Sequence, residues 1–526
     1  MVRLRPLLYL LPPLLLSAWA YWPITANYFH GDDFQHLYLI AEGRLGEFLV
    51  TPHGGHMLVA RNALFALTHA VFGVDPRGYF WIALLTHLVN VGLLFAVIDA
   101  FTGSRRLACA GAALWGVSPL NVEALGWYSV YGQVALATVI LAVLWRIARA
   151  ARDDAPLSRR QALAWYLLVI VGATCFGTGI GFAMALPVAL WLCLRAPPHH
   201  FTRRLFASLL IVVPALYVLV QVLYWAAAGQ AHDSVLYPGL AIRNAVTVLY
   251  MTLNMVLFGA AKTLVGTWML EAPYPGVLLL SLAVLYGLLM AAALWIAGRA
   301  PRRAILACLL LAVGPYGIIA AGRAVTAPEA WWLLILLGQA PRYHYAPALP
   351  LIIGGCVALA VVAGRMAMPS RLGSAGLTLW IAALALGVYL WPRPIDHFDT
   401  ERRQVAMLRT TVGARVAQAP PGADVYLLNG PMLPVNFFTP MTTFPGQAGL
   451  FVVYFPDNTI DGHRVRFIVR PPKVIAAARR HPGSRTAELL VTPDEARALD
   501  PGAAPPARVP VVPRSAPSAG SSRNGG

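Results

Sequence analysis

Two adjacent aspartates, Asp32 and Asp33, lie in the segment His30-Gly31-Asp32-Asp33-Phe34-Gln35-His36, a few residues after the first apolar stretch. Neighbouring carboxylates repel each other, so one of them can hold a proton at a raised pKa. Such a carboxylate suits a general base that takes a proton from a hydroxyl group. The structural alternative is a helix start, because an aspartate before Phe-Gln-His-Leu-Tyr-Leu-Ile is a good N-terminal signal. Both interpretations can hold together, since a helix start would position the carboxylates rigidly.

The region around this pair is rich in histidine. Its five histidines are His30, His36, His53, His56 and His69. Imidazole and carboxylate groups suit zinc, manganese and similar ions, so Asp32, Asp33 and His36 could ligate a divalent cation. No pair has the H-E-x-x-H spacing of zinc enzymes, however, and histidines are common at interfaces. The sequence requires no cofactor and leaves a divalent cation open.

Two later segments also place charged groups beside apolar runs. Glu123 ends the segment Ser118-Pro119-Leu120-Asn121-Val122-Glu123; it is a candidate for function, or it could merely cap a turn. Arg342 lies in the segment Pro341-Arg342-Tyr343-His344-Tyr345-Ala346-Pro347. Its forked donors suit a phosphate, and the tyrosine rings suit a sugar, although an aromatic belt with an interfacial arginine is the alternative. The substrate-binding candidates in these segments are Glu123, Arg342, Tyr343 and His344.

The elements that must position these residues are strongly apolar. The 526 residues are 58% hydrophobic and only 12% charged, whereas a soluble protein carries about 25% charged residues. A water-soluble multidomain protein is therefore excluded, and so is disorder over most of the length. The net charge of +18 comes from short basic clusters between apolar runs, which favours cytoplasmic loops of a membrane protein over nucleic-acid binding.

Eleven apolar runs are predicted to cross the bilayer, whose core is about 30 Å thick. They lie near residues 6–23, 79–101, 108–126, 130–150, 161–179, 181–195, 205–228, 276–297, 304–322, 345–364 and 374–391. An inside N-terminus and an outside C-terminus place nearly all basic clusters on the cytoplasmic side. Residues 244–268 are also apolar, but a crossing there would move the Arg299–Arg303 cluster outside. We therefore expect a lateral or re-entrant segment, with twelve spans as the alternative.

These runs predict an all-α polytopic membrane domain over residues 1–391, whose first extracytoplasmic loop is 24–78. Residues 392–500 are predicted to form a small extracytoplasmic α/β domain, and 501–526 a disordered tail. Strands are expected at residues 425–428, 449–455 and 465–469, and helices at 473–480 and 493–499.

Residues 56–73 are too polar to cross a membrane and predict an amphipathic helix in the interface plane. One face carries Arg61, Asn62, Thr68 and His69, and the opposite face carries Leu64, Leu67 and Val71. The functional interpretation is that His56 and Arg61 face an anionic headgroup. The alternative is a helix that only packs.

The residues resemble a known family, the GT-C class of membrane glycosyltransferases. The chain looks closest to bacterial relatives of the protein O-mannosyltransferases and the tetratricopeptide-linked O-mannosyltransferases. Asp32-Asp33 follows the first span, where the class places an acidic pair, and the stretch from Phe72-Gly73 to His87 looks like the family's second-span entry. Residues 118–124 are similar to its His-Pro-Leu-His-Thr-Glu-Ala segment, and residues 342–347 to its Arg-Tyr-Leu-Tyr-Leu-Pro segment. The resemblance covers roughly residues 1–390 in architecture.

The resemblance implies an inverting transfer of one sugar from a polyprenyl-phosphate donor on the outer face of the bacterial inner membrane. Asp32 matches the family's general base, Asp33 would support it or bind a cation, and Arg342 would contact the lipid phosphate. The chain departs from the family near Gly181-Phe182, where a Lys-Glu pair is absent, and it has no tetratricopeptide array. The acceptor is therefore left open as a glycan, a lipid or a protein.

Two other functions compete with sugar transfer. A transporter or flippase for lipid-linked sugars would place charged residues inside its spans, whereas this acidic pair lies in a loop. A polymerase or ligase for lipid-linked glycans would depend on arginine or histidine in a large later loop. The acidic pair in the first loop favours the glycosyltransferase.

Overall fold

The computed structural model describes most of the first 403 residues and four later strands. The described residues are 5–41, 43–52, 56–153, 157–194, 200–228, 245–265, 276–326, 338–366, 370–390, 395–399, 401–403, 406, 424–428, 459–460, 463–468 and 486–490. They fall into two compact units, of which the first contains the helices up to residue 403 and the second contains the strands.

The first unit is built from helices that follow the predicted apolar runs. In chain order they are α1 (Arg5–Tyr21), α2 (Asp32–Ala41), α3 (Leu45–Val50), α4 (Val59–Phe72), α5 (Pro76–Thr102), α6 (Arg105–Gly116), α7 (Val122–Gly126), α8 (Tyr131–Asp153), α9 (Arg159–Ala173), α10 (Gly177–Cys193), α11 (His200–Ala207), α12 (Leu209–Ala228), α13 (Ala245–Val265), α14 (Gly276–Ile296), α15 (Arg299–Thr326), α16 (Ala348–Arg365) and α17 (Ser370–Leu390). Short 3₁₀ turns cover Trp22–Ala26, Pro119–Asn121, Tyr128–Val130 and Pro341–Tyr343.

Seven stretches of the described helices are long and apolar enough to cross a membrane. They are Leu7–Ala26, Pro76–Thr102, Tyr128–Arg152, His200–Tyr224, Arg299–Arg323, Ala348–Arg365 and Gly373–Leu390. Four shorter apolar helical stretches accompany them: Val59–Phe72, Gly177–Cys193, Ala245–Ala261 and Leu280–Ile296. The count of eleven spans and the inside N-terminus stay predictions.

The predicted run 108–126 is not a single helix. Helix α6 ends at Gly116, and Ser118 is extended (φ −65°, ψ 130°) before Pro119. The cause is local, because the proline ring disfavours the helical conformation of the preceding residue. The chain then turns into the short helix α7, which carries Glu123.

The apolar run at 244–268 forms the continuous helix α13. Thr252 lies near Gly317 of α15, and a Cβ atom at Gly259 would lie 2.4 Å from the Tyr316 hydroxyl. Helix α13 therefore packs against α15, and the predicted lateral or re-entrant course of this segment stays a prediction.

Helices α10 and α15 pack closely enough to require glycine. A Cβ atom at Gly181 would lie 2.3 Å from the carbonyl oxygen of Gly314, and real Cβ atoms do not approach an oxygen so closely. This crossing lies where the resembled family carries its Lys-Glu pair. At Gly181 the close contact with Gly314 leaves no room for a side chain.

The second unit contains a four-stranded sheet in the order β2-β3-β1-β4, with β1 (Asp424–Leu428), β2 (Thr459–Ile460), β3 (His463–Ile468) and β4 (Thr486–Leu490). Strand β1 is parallel to β3 and β4, whereas β2 is antiparallel to β3. The strands predicted at 425–428 and 465–469 are present. The predicted strand 449–455, the helices at 473–480 and 493–499, and the tail from 501 lie outside the described residues.

Candidate functional site

The acidic pair opens helix α2, as the sequence predicts. Gly31 precedes it with φ +50°, a left-handed conformation that favours glycine. The backbone N–H of Asp33 donates to the carbonyl of His30 (3.0 Å), and the N–H of His30 donates back to Asp33 Oδ2 (3.1 Å). These reciprocal bonds fix the Asp33 carboxylate in the first turn, where the helix dipole stabilises negative charge.

Asp33 is fully buried and tightly bonded. Besides the N–H of His30, it accepts a hydrogen bond at Oδ1 from the hydroxyl of Ser129, which follows helix α7. Burial raises the pKa of Asp33 to about 6, and the hydrogen bonds from Ser129 and His30 limit the rise. Asp32 is only partly buried. Of the two carboxylates, Asp32 is therefore the one that a substrate can approach. Asp33 is fixed in place by its hydrogen bonds within the protein.

A buried arginine completes a chain of hydrogen bonds that ends at Asp33. Arg61 Nη1 lies 3.0 Å from His36 Nε2, and His36 Nδ1 lies 3.1 Å from Ser129 Oγ. Arg61 Nη1 also lies 3.3 Å from His36 Nδ1, so the guanidinium contacts both ring nitrogens. The Ser129 hydroxyl in turn donates to Asp33 Oδ1. Burial lowers the pKa of Arg61 to about 10, while the charges of Asp32 and Asp33 oppose that shift. Arg61 therefore stays protonated at neutral pH and balances the charge of the acidic pair.

This arrangement corrects the predicted orientation of α4. The two faces of the helix are as predicted, but Arg61, Asn62 and Thr68 point into the protein, whereas Leu67 and Val71 are more than half exposed. Arg61 is only 2% exposed, so it contacts His36 and cannot reach a lipid headgroup. A helix at a membrane can turn its apolar face outward, because lipid replaces water there.

The predicted metal ligands do not fit a cation. His36 uses Nδ1 for Ser129 and Nε2 for Arg61, and both oxygens of Asp33 accept hydrogen bonds. The Arg61 guanidinium would also repel a cation at His36. Within the part of the chain that the structure describes, no three His, Cys, Asp or Glu side chains form a group that could hold a metal ion.

The structure brings the two later motifs together. Arg342 Nη1 donates to Glu123 Oε2 over 2.8 Å, and the backbone N–H of Arg342 lies 3.4 Å from the same oxygen. The side chains are 27% and 33% exposed, so both remain accessible. Glu123 therefore orients the guanidinium and leaves its other donors for an anionic group.

Trp127 joins this pair to the acidic segment. Its Nε1 donates to the carbonyl oxygen of His30 over 3.1 Å, and Arg342 Cζ lies 6.0 Å from the centroid of its ring. A Cβ atom at Gly31 would lie 3.6 Å from the same ring. The indole therefore lies between the residues that precede Asp32 and the guanidinium of Arg342.

The other predicted binding residues lie within the packing. His344 is fully buried, with Nδ1 bonded to the Tyr316 hydroxyl (2.9 Å) and Nε2 to the Gly338 carbonyl (2.8 Å). Both nitrogens are therefore engaged, which leaves none for a substrate. Tyr343 is fully buried with its ring 5.1 Å from Arg342 Cζ, so it supports the guanidinium. His56 stacks on Phe176 at 4.5 Å, and its role in binding stays a prediction.

A segment after the last helix also reaches the site, and the sequence did not predict it. We call residues 395–399 and 401–403 the strap. Glu401 is buried and accepts a hydrogen bond from His30 Nδ1 (2.7 Å), and Phe398 stacks on the His30 ring at 4.1 Å. The N–H of Tyr28 donates to the carbonyl of His397 over 3.1 Å. The strap therefore holds the segment that leads into Asp32.

The strap raises the pKa of His30. Burial lowers the pKa of His30, but the hydrogen bond and charge of Glu401, with the charges of Asp33 and Asp396, raise it above the usual value. One signal could have indicated Glu401: acidic residues are scarce in this chain, with 22 in 526 residues, and this one follows the last apolar run. Ser129 lies only six residues after the predicted Glu123.

Comparisons with solved structures give matches at low identity and with TM-scores below 0.5. No protein-family model matches the chain, and no curated protein matches it. The crystal structure of ArnT from Cupriavidus metallidurans bound to undecaprenyl phosphate is 13% identical with a TM-score of 0.48, and the match covers 92% of this chain and 89% of that one.

The archaeal oligosaccharyltransferase AglB from Archaeoglobus fulgidus, in complex with an inhibitory peptide and a dolichol-phosphate, is 12% identical with a TM-score of 0.40. The match covers 81% of this chain and 62% of that one, so the chain spans about three fifths of its length. The chain is similar to these two proteins, and membership of the GT-C class stays the prediction that its own motifs make.

Proposed function

We propose that this chain is a multi-pass membrane glycosyltransferase of the GT-C class. It transfers a sugar from a polyprenyl-phosphate donor to an acceptor hydroxyl on the extracytoplasmic face of the bacterial inner membrane. The observation that carries the proposal is the position of Trp127. This indole contacts the segment that leads into Asp32 on one side and the guanidinium of Arg342 on the other. A base and a phosphate-binding group therefore belong to one site.

In the proposed reaction, Asp32 takes the proton from the acceptor hydroxyl. The hydroxyl oxygen forms a bond to the anomeric carbon of the sugar while the bond from that carbon to the phosphate oxygen breaks. The electron pair leaves with the polyprenyl phosphate, and the acceptor attacks the opposite face, so the configuration inverts. Arg342 stabilises the charge that develops on the departing phosphate, because a charged donor bonds most strongly to a charged oxygen.

The remaining residues prepare this step without touching the substrate. Asp33, bonded to Ser129 and to the N–H of His30, fixes the first turn of α2 and so the position of Asp32. Arg61 supplies a buried positive charge, which offsets the repulsion between the two adjacent carboxylates. Rigid positioning matters because phosphate is already a good leaving group, so orientation supplies much of the rate.

The proposal is tested with the purified full chain in proteoliposomes. Undecaprenyl-phosphate hexoses and pentoses, labelled in the sugar, are supplied as donors together with bacterial membrane extract as the acceptor source. We expect cleavage of the sugar–phosphate bond and release of undecaprenyl phosphate that depends on the protein. Movement of intact labelled donor between leaflets, with no bond cleavage for any donor, would instead indicate a flippase and overturn the proposal.

A further inference from the structure

A basic groove lies where helix α5 turns into α6, far from the candidate active site. It has a volume of about 510 Å³ and is lined by Tyr9, Asp99, Gly103, Ser104, Arg105, Arg106 and Arg152. Gly103 reverses the chain in a left-handed conformation (φ +66°), and the Ser104 hydroxyl accepts a hydrogen bond from the N–H of Leu107. The groove thus combines the N-terminus of α6 with three guanidinium groups.

The described lining of this groove carries three arginines and one carboxylate. Arg105 and Arg106 occupy the first turn of α6, which contains no acidic residue, although cations are unfavourable at a helix N-terminus. Asp99 is the single carboxylate in the lining. Among the described residues, none of the three arginines forms an ion pair. An anion in the groove would satisfy all three guanidinium groups and the helix end.

A second cavity of about 480 Å³ adjoins the groove, and Gly103 and Arg152 line both. The lining of this second cavity is mostly small and apolar, with Ala148, Ala151, Ala304 and Ala360 among its residues. A basic groove beside an apolar cavity matches an amphiphile, in which a phosphate is joined to a hydrocarbon chain. A free phosphate ester would use only the groove.

The groove lies at the end of the helices opposite the candidate active site. Helix α6 runs 12 residues from Arg105 before the chain turns toward Glu123, which is a rise of about 18 Å at 1.5 Å per residue. Tyr9 lies near the start of α1, whereas Asp32 follows its end. With the predicted topology, the groove faces the cytoplasmic leaflet.

We propose that this groove binds an anionic phospholipid of the cytoplasmic leaflet. Arg105, Arg106 and Arg152 hold the phosphate, Asp99 accepts hydrogen bonds from headgroup hydroxyls, and the adjoining apolar cavity receives part of an acyl chain. Basic pockets between helices at this membrane face are the usual sites for anionic lipids. The site is separate from the proposed donor site, and it stands whether or not the chain transfers sugars.

Native mass spectrometry of the detergent-purified full chain tests the proposal, with phosphatidylglycerol, phosphatidylcholine and glycerol 3-phosphate as probes. We expect phosphatidylglycerol to bind roughly tenfold or more tightly than phosphatidylcholine. The variant R105Q/R106Q/R152Q should lose this preference. The matched control R159Q/R160Q/R203Q removes the same charge from exposed arginines outside the groove and should keep it.

Three outcomes would overturn the proposal. The first is that the groove variant binds phosphatidylglycerol as tightly as the wild type. The second is that the control variant loses the preference for phosphatidylglycerol as fully as the groove variant does. The third is binding of glycerol 3-phosphate as tight as that of phosphatidylglycerol, which would assign the groove to a free phosphate ester. If the triple variant fails to fold, Arg152→Gln alone is compared with Arg160→Gln. Phosphatidylglycerol should then bind at least threefold more weakly to Arg152→Gln, and Arg160→Gln should bind it like the wild type.

Discussion

The indole Nε1 of Trp127 donates a hydrogen bond to the carbonyl oxygen of His30 over 3.1 Å. This bond ties the chain that follows Glu123 to the chain that precedes Asp32. Two motifs more than 90 positions apart in the sequence thereby share one site. The relationship makes Trp127 a positioning residue between the proposed base and the proposed phosphate-binding arginine.

Trp127→Phe should lower kcat about tenfold and change the KM of the donor by less than about threefold. Loss of one hydrogen bond costs about 1 kcal/mol, and the phenyl ring keeps most of the packing, so misplacement of Asp32 is the main effect. Initial rates over a range of donor concentrations measure the two constants. Trp380→Phe is the matched control, because Trp380 bonds to the Ala110 carbonyl (3.4 Å) away from the site; its rate should stay unchanged.

Arg342→Gln should lower kcat/KM for the polyprenyl-phosphate donor by about 10- to 100-fold, because it removes a charge-assisted bond to the phosphate that strengthens as the phosphate departs. Arg342→Lys should recover only part of this loss, since an ammonium group cannot form the forked contact. Glu123→Gln should have a smaller effect through the orientation of Arg342. Arg44→Gln breaks a comparable pair with Glu47 outside the site, and an equal loss there would contradict the assignment.

Glu401→Gln should destabilise the protein more at pH 6 than at pH 8. The pKa of His30 is raised in the folded state by Glu401, so this contribution is present below about pH 6.5 and is lost as pH rises through the raised pKa. Thermal unfolding at the two pH values should show a drop of about 2–5 °C at pH 6 and less at pH 8. Asp399→Asn, whose ion pair with Arg402 is exposed, should show no such dependence.

Asp33→Asn should change how stability depends on pH. Burial raises the pKa of Asp33 from 3.8 to about 6, so its contribution is full below pH 3.8 and falls as pH rises through 6. Between pH 4 and 7 the wild type should lose up to about 3 kcal/mol through this group. The asparagine variant should lack that component in unfolding scans across the range, although it also loses the acceptor for the His30 N–H. Parallel stability profiles for the two proteins would contradict the buried, titrating carboxylate.

The sequence predicts the local parts of this site better than their contacts. The helix start at Asp32 follows from neighbouring residues, and the structure has it there. The orientation of α4 could not be predicted in the same way, because the spacing of Arg61, Thr68 and Leu67 defines two faces without saying which one meets lipid. In water the apolar face of an amphipathic helix packs inward, whereas in a membrane that face can meet lipid.

Long-range pairs were the least predictable part of the site. Glu123 and Arg342 were each identified from their motifs, yet nothing in their spacing indicates that they pair across 219 positions. The contact between His30 and Glu401 spans 371 positions and was missed altogether. Tertiary packing creates both contacts, and local sequence patterns carry no information about it.

The most direct test of the account is the rate of sugar transfer by Asp32→Asn beside Asp33→Asn and the wild type, at saturating donor. If Asp32 is the general base, its asparagine variant should lose about 10²–10⁴-fold in kcat and still bind undecaprenyl-phosphate donor within about threefold of the wild type. Asp33→Asn should lose less, because Asp33 acts only through the position of Asp32. Transfer by Asp32→Asn at close to the wild-type rate would contradict the central claim.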